Sequence, residues 1–307
     1  MEVDDSLKQD PFIGTVIDGK YRIVEKIGHG GIGAVYRGEH TLIRRQVAIK
    51  VLHSHLVENE DFLRRFRHEA EIASSLTHPN AVILYDYGVE QSRPYLAMEY
   101  VQGETMKSWM SRESTPQLSE VCTIFQQIGA ALEEAHRLGI IHRDLKPDNV
   151  IITRRDDGSP SVKVLDFGIA KVIHDKGEKG ATVVTKAGTF YGTPRYASPE
   201  QIMGQELDRR ADIYSLGVML YEVLSGKPPF DAPSMIEVFL KHLNQEPPPF
   251  EALDTARKVP RMLESHVMRC LAKDPAKRPA SAVEMMQELT RCTGESCDTF
   301  GFLRKHR

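Results

Sequence analysis

The stretch His142-Arg143-Asp144-Leu145-Lys146-Pro147-Asp148-Asn149 decides how this chain is read. It sets a carboxylate, an ammonium and an amide close together on one short segment. Asp144 can take or orient a hydroxyl proton, Lys146 can steady an anionic group in transit, and Asn149 can lend an oxygen to a metal ion. Together these suit the movement of a phosphoryl group, where positioning and charge carry most of the work. Working outward, Asp166-Phe167-Gly168 follows, and Gly28-x-Gly30-x-x-Gly33 and Val47-Ala48-Ile49-Lys50 precede. A lone G-x-G-x-x-G is weak, because a dinucleotide fold shares it. That alternative needs the last glycine to open a helix. Here Gly33 leads into Ala34-Val35-Tyr36-Arg37-Gly38, which reads as a strand. A hairpin whose backbone N–H groups approach phosphate oxygens fits better.

The order and spacing of these four segments resemble the Hanks-type (eukaryotic-like) bacterial Ser/Thr protein kinases, from roughly Tyr21 to Arg291. The general template for phosphoryl transfer is itself drawn from this family, so the roles that follow are carried over by resemblance. The resemblance implies an α+β, two-lobed protein-kinase fold, with a β-rich N-lobe holding one major helix and a helical C-lobe. It divides the chain into a lead-in (1–20), N-lobe (21–101), C-lobe (102–291) and short tail (292–307). A hinge near Met98 to Gly103 would border the nucleotide cleft.

Within that frame Asp144, Lys146 and Lys50 are the expected catalytic residues, and Asn149 and Asp166 the expected Mg²⁺ ligands, with Mn²⁺ as an alternative ion. Lys50 would reach the ATP phosphates and needs an anion to hold it. Glu69 is favoured by its spacing to His78-Pro79-Asn80, and Glu71 is the near rival. The resemblance assigns Ile27, Gly28, Gly30, Gly33, Val35, Ala48, Met98, Glu99, Val101 and Ile151 to the ATP slot, Met98 as gatekeeper. Thr182, Thr185 and Thr189 are candidate phosphosites in an activation segment, with Arg143 and Lys171 as the pocket for the phosphothreonine. Gly192, Thr193 and Pro194 would dock substrate. Glu200, Arg278 and Asp212 would be structural, although Ser198 stands where the family usually has alanine. Lys146 and Thr193 point to Ser/Thr rather than Tyr acceptors.

Two other classes of function compete. A binding-only pseudokinase would have lost Lys50, Asp144, Asn149 or Asp166, and none is lost. A small-molecule kinase would lack a docking segment like Gly192 to Glu200. The expected partners are proteins with Ser/Thr acceptors, and a second copy of the chain for trans-autophosphorylation.

Composition narrows the rest. A net charge of −3 with scattered Lys and Arg gives no case for nucleic acid. No apolar run reaches the ~18 residues that span a bilayer. The acidic start, Met1 to Gln9, is unlike a signal peptide. Cys122 and Cys270 read as small buried hydrophobes, and Cys292 and Cys297 lack metal-like spacing. A cytoplasmic setting is expected, alone or as the cytoplasmic part of a longer membrane-anchored kinase. The basic end, Phe302 to Arg307, is open to either reading, a solvated tail or the start of a juxtamembrane linker.

Coarse patterning predicts strands within Tyr21 to Val51, Ala81 to Tyr87, Pro94 to Tyr100, Val150 to Thr153 and Val162 to Leu165. It predicts helices at Glu58–Leu76, Ser119–Leu138 with Ser119 as N-cap, Asp212–Leu224, Ser234–Asn244, Arg261–Ala272 and Ser281–Cys292. Met1 to Phe12 is expected to be loosely held.

Overall fold

The computed structural model describes residues 10–30, 33–54, 60–113, 115–167, 194–253 and 258–293. The chain forms two compact units, residues 1–75 with 82–102, and residues 76–81 with 103–307.

The small unit is an antiparallel sheet built from β1 (Val16–Ile17), β2 (Tyr21–Gly30), β3 (Gly33–His40), β4 (Gln46–Leu52), β5 (Leu84–Glu90) and β6 (Arg93–Glu99). The strand order is β1-β2-β3-β4-β6-β5. Strand β4 is buried along nearly its whole length, as its run Val47-Ala48-Ile49-Lys50-Val51-Leu52 demands of a central strand. Ile23, Tyr36, Val47, Ile49, Val51, Tyr95 and Ala97 form one core. Helix α1 (Glu60–Ser74) packs on β5 and buries Phe62, Phe66, Glu69, Ala70 and Ala73, one face at helical spacing.

Asp10 to Phe12 are tied down, contrary to the loose lead-in expected there. The Phe12 ring lies 5.6 Å from that of Tyr36, and the Arg93 guanidinium sits 4.9 Å over Phe12. Tyr36 Oη donates to Asp10 at 3.1 Å, and Lys26 pairs with the same carboxylate at 3.1 Å. Burial and the Asp10 charge push the Tyr36 phenol up to about 12. A ring contact between Phe12 and Tyr36, far apart along the chain, is invisible to local pattern, which is why the sequence suggested a free arm.

The large unit contains α2 (Met106–Arg112), α3 (Leu118–Arg137), α4 (Pro199–Ile202), α5 (Arg210–Ser225), α6 (Met235–Asn244), α7 (Arg261–Cys270) and α8 (Ala282–Thr293). A three-stranded sheet, β7 (Glu104–Thr105), β8 (Val150–Arg154) and β9 (Pro160–Val164), is ordered β7-β8-β9. Helix α3 packs on α8 and β9, and α7 packs on both α5 and α8. Helix α5 is buried at all but two of its positions, Arg210 and Glu222. Cys122 and Cys270 are fully buried, as expected of small hydrophobes.

Two local expectations need correction. Ser119 is not the N-cap of α3; Gln117 takes that place, with φ −61° and ψ 141°, and Val121 N donates to its carbonyl at 3.1 Å. Ser119 lies inside the first turn, where its carbonyl accepts from Thr123 Oγ1 at 3.0 Å. The strand expected from Ala81 starts at Leu84. Asn80 and Ala81 belong to the large unit instead. Val164 N donates to Asn80 O at 2.8 Å, and Ala81 bridges Val164. The Asn80 amide donates to Val162 O and Gln127 Oε1, both at 2.9 Å. Those buried backbone groups need partners, and the apolar tail of the strand pattern was competing with them.

Candidate active site

In the small unit Lys50 lies in the middle of β4, between Val35 of β3 and Leu96 of β6 in register. It is 9 % exposed, and so is Glu69 of α1. Glu69 shares the buried face with Phe66 and Ala73, spaced three and four residues away. Glu71 is exposed and accepts from Tyr87 Oη at 3.1 Å. The buried carboxylate on this helix is therefore Glu69.

The glycine hairpin pairs Gly28 with Val35 and Gly30 with Gly33. Its glycines are not equivalent. A Cβ at Gly33 would overlap the Val51 carbonyl oxygen and lie 2.9 Å from Leu52 Cα, so β3 and β4 could not close on one another. A Cβ at Gly30 would meet nothing within 4 Å. Ile27 is 44 % exposed and Val35 half-buried, whereas Ala48 and Met98 face one another in register and are buried. Glu99 N donates to Ile83 O at 2.9 Å, which fixes the end of β6 ahead of half-buried Val101.

In the large unit the loop from His142 to Asn149, expected to be catalytic, is organised around Asp212, at the start of α5 and 1 % exposed. One carboxylate oxygen accepts from His142 N at 2.9 Å and meets His136 Nε2 at 2.7 Å. The other accepts from Arg143 N at 3.0 Å. Burial pushes this carboxyl up, but the His136 contact, the nearby imidazoles and the backbone N–H together hold it below the usual aspartate range. Arg143 sits at φ +67°, a left-handed conformation costly for a side chain with a Cβ, and its clamped amide helps keep it there.

Asp144 follows. Its Oδ2 accepts from Lys146 Nζ at 2.7 Å and Asn149 Nδ2 at 3.3 Å, and its carbonyl accepts from the same amide at 2.8 Å. Asn149 O accepts from Leu165 N at 2.9 Å, which brings the segment of Asp166 alongside. Asp166 is left-handed too, at φ +59°. His142, fully buried, spans both segments. Its Nδ1 accepts from Asp144 N at 3.4 Å, so Nε2 carries the proton and donates to Leu165 O at 2.8 Å. Its ring packs edge-on at 5.0 Å against Phe167. Ile151 lies on β8, half-buried and paired with Lys163.

Glu200 and Arg278 form a buried bidentate pair at 2.6 and 2.9 Å. Arg278 also donates to the carbonyls of Arg210, Ala272 and Lys273 and lies 4.8 Å over the Tyr214 ring. Ser198 is the N-cap of α4 and forms a reciprocal capping box with Gln201. That gives a physical reason for serine where the family usually has alanine. Pro194 opens the short turn Pro194–Tyr196. Thr182, Thr185, Thr189, Lys171, Gly192 and Thr193 lie outside the described residues.

The protein kinase domain family matches residues 21–289. The chain belongs to the protein kinase family. Among similar proteins, the serine/threonine-protein kinase pkn3 of Myxococcus xanthus is 41 % identical over 281 residues, which is 91 % of this chain and 51 % of that protein. The serine/threonine-protein kinase PrkC of Bacillus subtilis (strain 168) is 39 % identical over 277 residues, 90 % of this chain and 41 % of its own. This kinase domain thus spans about half the length, or less, of these relatives. The crystal structure of the PknI kinase domain of Mycobacterium tuberculosis aligns with a TM-score of 0.69 at 28 % identity, covering 91 % of this chain and 98 % of that one. The fold is the protein kinase fold, and the domain is of the bacterial Hanks-type Ser/Thr class.

Sequence reasoning missed two residues that hold the 142–149 loop, His136 through Asp212 and Gln201 through Arg143 O. His136 belongs to no motif, whereas Gln201 closes the Ser198-x-x-Gln201 capping box. The available signals were a histidine in the last turn of α3 and the Ser-x-x-Gln spacing at the start of α4.

Proposed function

We propose that this domain transfers the γ-phosphoryl of ATP to Ser or Thr hydroxyls of proteins, its own activation segment included. One observation carries the reading: Asp144, Lys146 and Asn149 are hydrogen-bonded into one cluster on a loop clamped by Asp212.

Bound ATP and Mg²⁺ would supply the transferable phosphoryl group and the positive charge that offsets its oxygens. The residues present fit them. Asn149 gives its amide nitrogen to Asp144, so Oδ1 is the atom it offers a cation. With the Asp166 carboxylate this makes a small, hard oxygen set that phosphate oxygens and water would complete. The space at Gly30 suits close approach of backbone to phosphate. Lys50, held within the sheet and with Glu69 as the buried acid of α1, would bind phosphate oxygens.

Asp144 would orient the acceptor hydroxyl and take its proton through Oδ1, because Oδ2 already faces Lys146 and Asn149. Lys146, 18 % exposed at its side chain, would steady the charge that moves toward the acceptor. Phosphorylation of Thr182, Thr185 or Thr189 would order the activation segment through Arg143 and Lys171. Self-phosphorylation would pass between two copies. The need for ATP places the reaction in the cytoplasm, whether the domain acts alone or within a longer, membrane-anchored kinase. Among the described residues no helix is long and apolar enough to cross a membrane.

The test incubates the chain and Asp144→Asn with ATP and Mg²⁺ and maps phosphates by mass spectrometry. Phosphate on those threonines in the parent alone is the expected result. Nucleotide binding without transfer to itself or to generic protein substrates would overturn the reading.

A further inference from the structure

The residue immediately before Asp144 is held at both its N–H and its C=O, and only one of the two clamps was expected from the family resemblance. Arg143 N donates to Asp212 Oδ1 at 3.0 Å. Arg143 O accepts from Gln201 Nε2 at 2.6 Å. Between these bonds Arg143 holds φ +67°, where a side chain with a Cβ does not rest unaided. The two clamps come from different elements, Asp212 from the start of α5 and Gln201 from α4.

Gln201 is itself fixed by two bonds. Ser198 N donates to its Oε1 at 3.0 Å, and its own N–H donates to Ser198 Oγ at 3.4 Å. The side-chain amide therefore has one orientation: the oxygen faces the cap and the nitrogen faces Arg143. Flipping it would set two oxygens against each other at Arg143 and two N–H groups against each other at Ser198. Residue 201 must accept at one end and donate at the other, and glutamine does both at this reach. Glutamate satisfies only the cap, and methionine neither.

We propose that Gln201 is a positioning residue for Asp144, which locks the catalytic loop to the N-terminus of α4. The consequence is that the seating of α4, whose start lies within the Gly192 to Glu200 segment expected to dock substrate, sets the placement of the acceptor-orienting carboxylate. The lock rests on the kinase reading for its catalytic effect, but its mechanical effect stands apart from it.

Gln201→Glu separates the two bonds. It keeps a Ser-x-x-Glu capping box, a favoured helix start, and turns a carboxylate oxygen toward Arg143 O. Two measurements on parent, Gln201→Glu and Gln201→Met follow. Steady-state kinetics with ATP and a generic protein substrate should show kcat lower by tenfold or more in both variants, with KM for ATP unchanged. Amide hydrogen exchange, which needs no phosphoryl transfer, should show the 142–146 segment exchanging at least tenfold faster in Gln201→Glu than in the parent, with a melting temperature like the parent's. Parent-like exchange in Gln201→Glu overturns the lock. So does a kcat loss that only follows a lowered melting temperature. If the parent transfers no phosphate, the kinase reading fails, and the exchange rates still decide whether Gln201 holds the loop.

Discussion

The glycine hairpin of the small unit and the catalytic loop of the large unit hold their functional groups by opposite means. In the small unit strand register places the residues: Gly28 lies opposite Val35 in the hairpin and Lys50 of β4 opposite Leu96 of β6, with open space where a Cβ of Gly30 would be. In the loop, side chains do the placing: Asp212, His136, His142, Asn149 and Gln201 fix backbone and carboxylate atoms one by one. The difference fits the tasks proposed for the two segments. Phosphates are gripped by backbone N–H groups, which need closeness and no Cβ. A carboxylate that orients a hydroxyl must point accurately, so its neighbours are over-determined.

Asp144→Asn strikes at the loop's purpose and should have the largest effect. Phosphoryl transfer should fall by about 10²–10⁴-fold while nucleotide binding survives, read by transfer assay and ATP titration. A fall in both would mean that the loop's geometry, not its proton chemistry, had been lost.

Arg278→Met tests whether the large unit's buried polar groups are equally committed. It leaves Glu200 buried without its cation, which should cost about 3–5 kcal/mol in urea unfolding. A loss below about 1 kcal/mol would show that Glu200 takes up a proton or finds water at little cost.

His242 gives the same region a pH signature. It is fully buried, its Nδ1 lies 2.9 Å from Tyr214 Oη, and Phe230 packs on its ring. Burial, aided by the Lys273 charge, pushes it down from the ordinary 6.5 to about 3. The unfolded chain thus binds a proton that the folded chain refuses between those values. Its contribution is fully present above about pH 6.5 and is lost as pH falls toward 3, at most about 1.4 kcal/mol per pH unit. Unfolding curves across that range should be less steep in pH for His242→Gln than for the parent. Equal slopes would assign the acid sensitivity to other groups.

Within the hairpin the two glycines should separate. Gly33→Ala should lower stability by about 1–3 kcal/mol, because the β3–β4 approach has no room for it. Gly30→Ala should unfold like the parent but show a raised KM for ATP. If both variants lost stability alike, the open space at Gly30 would not be kept for a ligand. The exposed pair Arg64–Asp61, at 3.2 Å, sets the baseline. Arg64→Ala should change stability by less than about 1 kcal/mol.

The cluster of Asp144, Lys146 and Asn149, proposed here as catalytic, was legible because each residue sits inside a short, spaced motif. Asp144, Lys146 and Asn149 are separated by two and three residues, and the structure bonds them to one another. The long helices were legible for a similar reason: the buried stripe of α1 through Phe62, Phe66 and Ala73 is written at helical period. Edges were harder. The N-cap of α3 and the start of β5 were displaced from their expected positions, since caps and strand ends answer to tertiary partners as much as to local pattern.

The sequence by itself determined the family, the kind of fold and the identity of the charged groups, because those are constraints on residue type at fixed spacing along the chain. It even placed Ser198 as a departure, without saying what the hydroxyl does. The spacing already favoured Glu69 over Glu71, and the structure buries Glu69; only the tertiary structure decided that Asn80 and Ala81 join the large unit, and that His136 and Gln201 help to hold the 142–149 loop. Each of those depends on which groups, distant in sequence, must satisfy a buried hydrogen-bonding atom, and that demand arises only once the chain has excluded water.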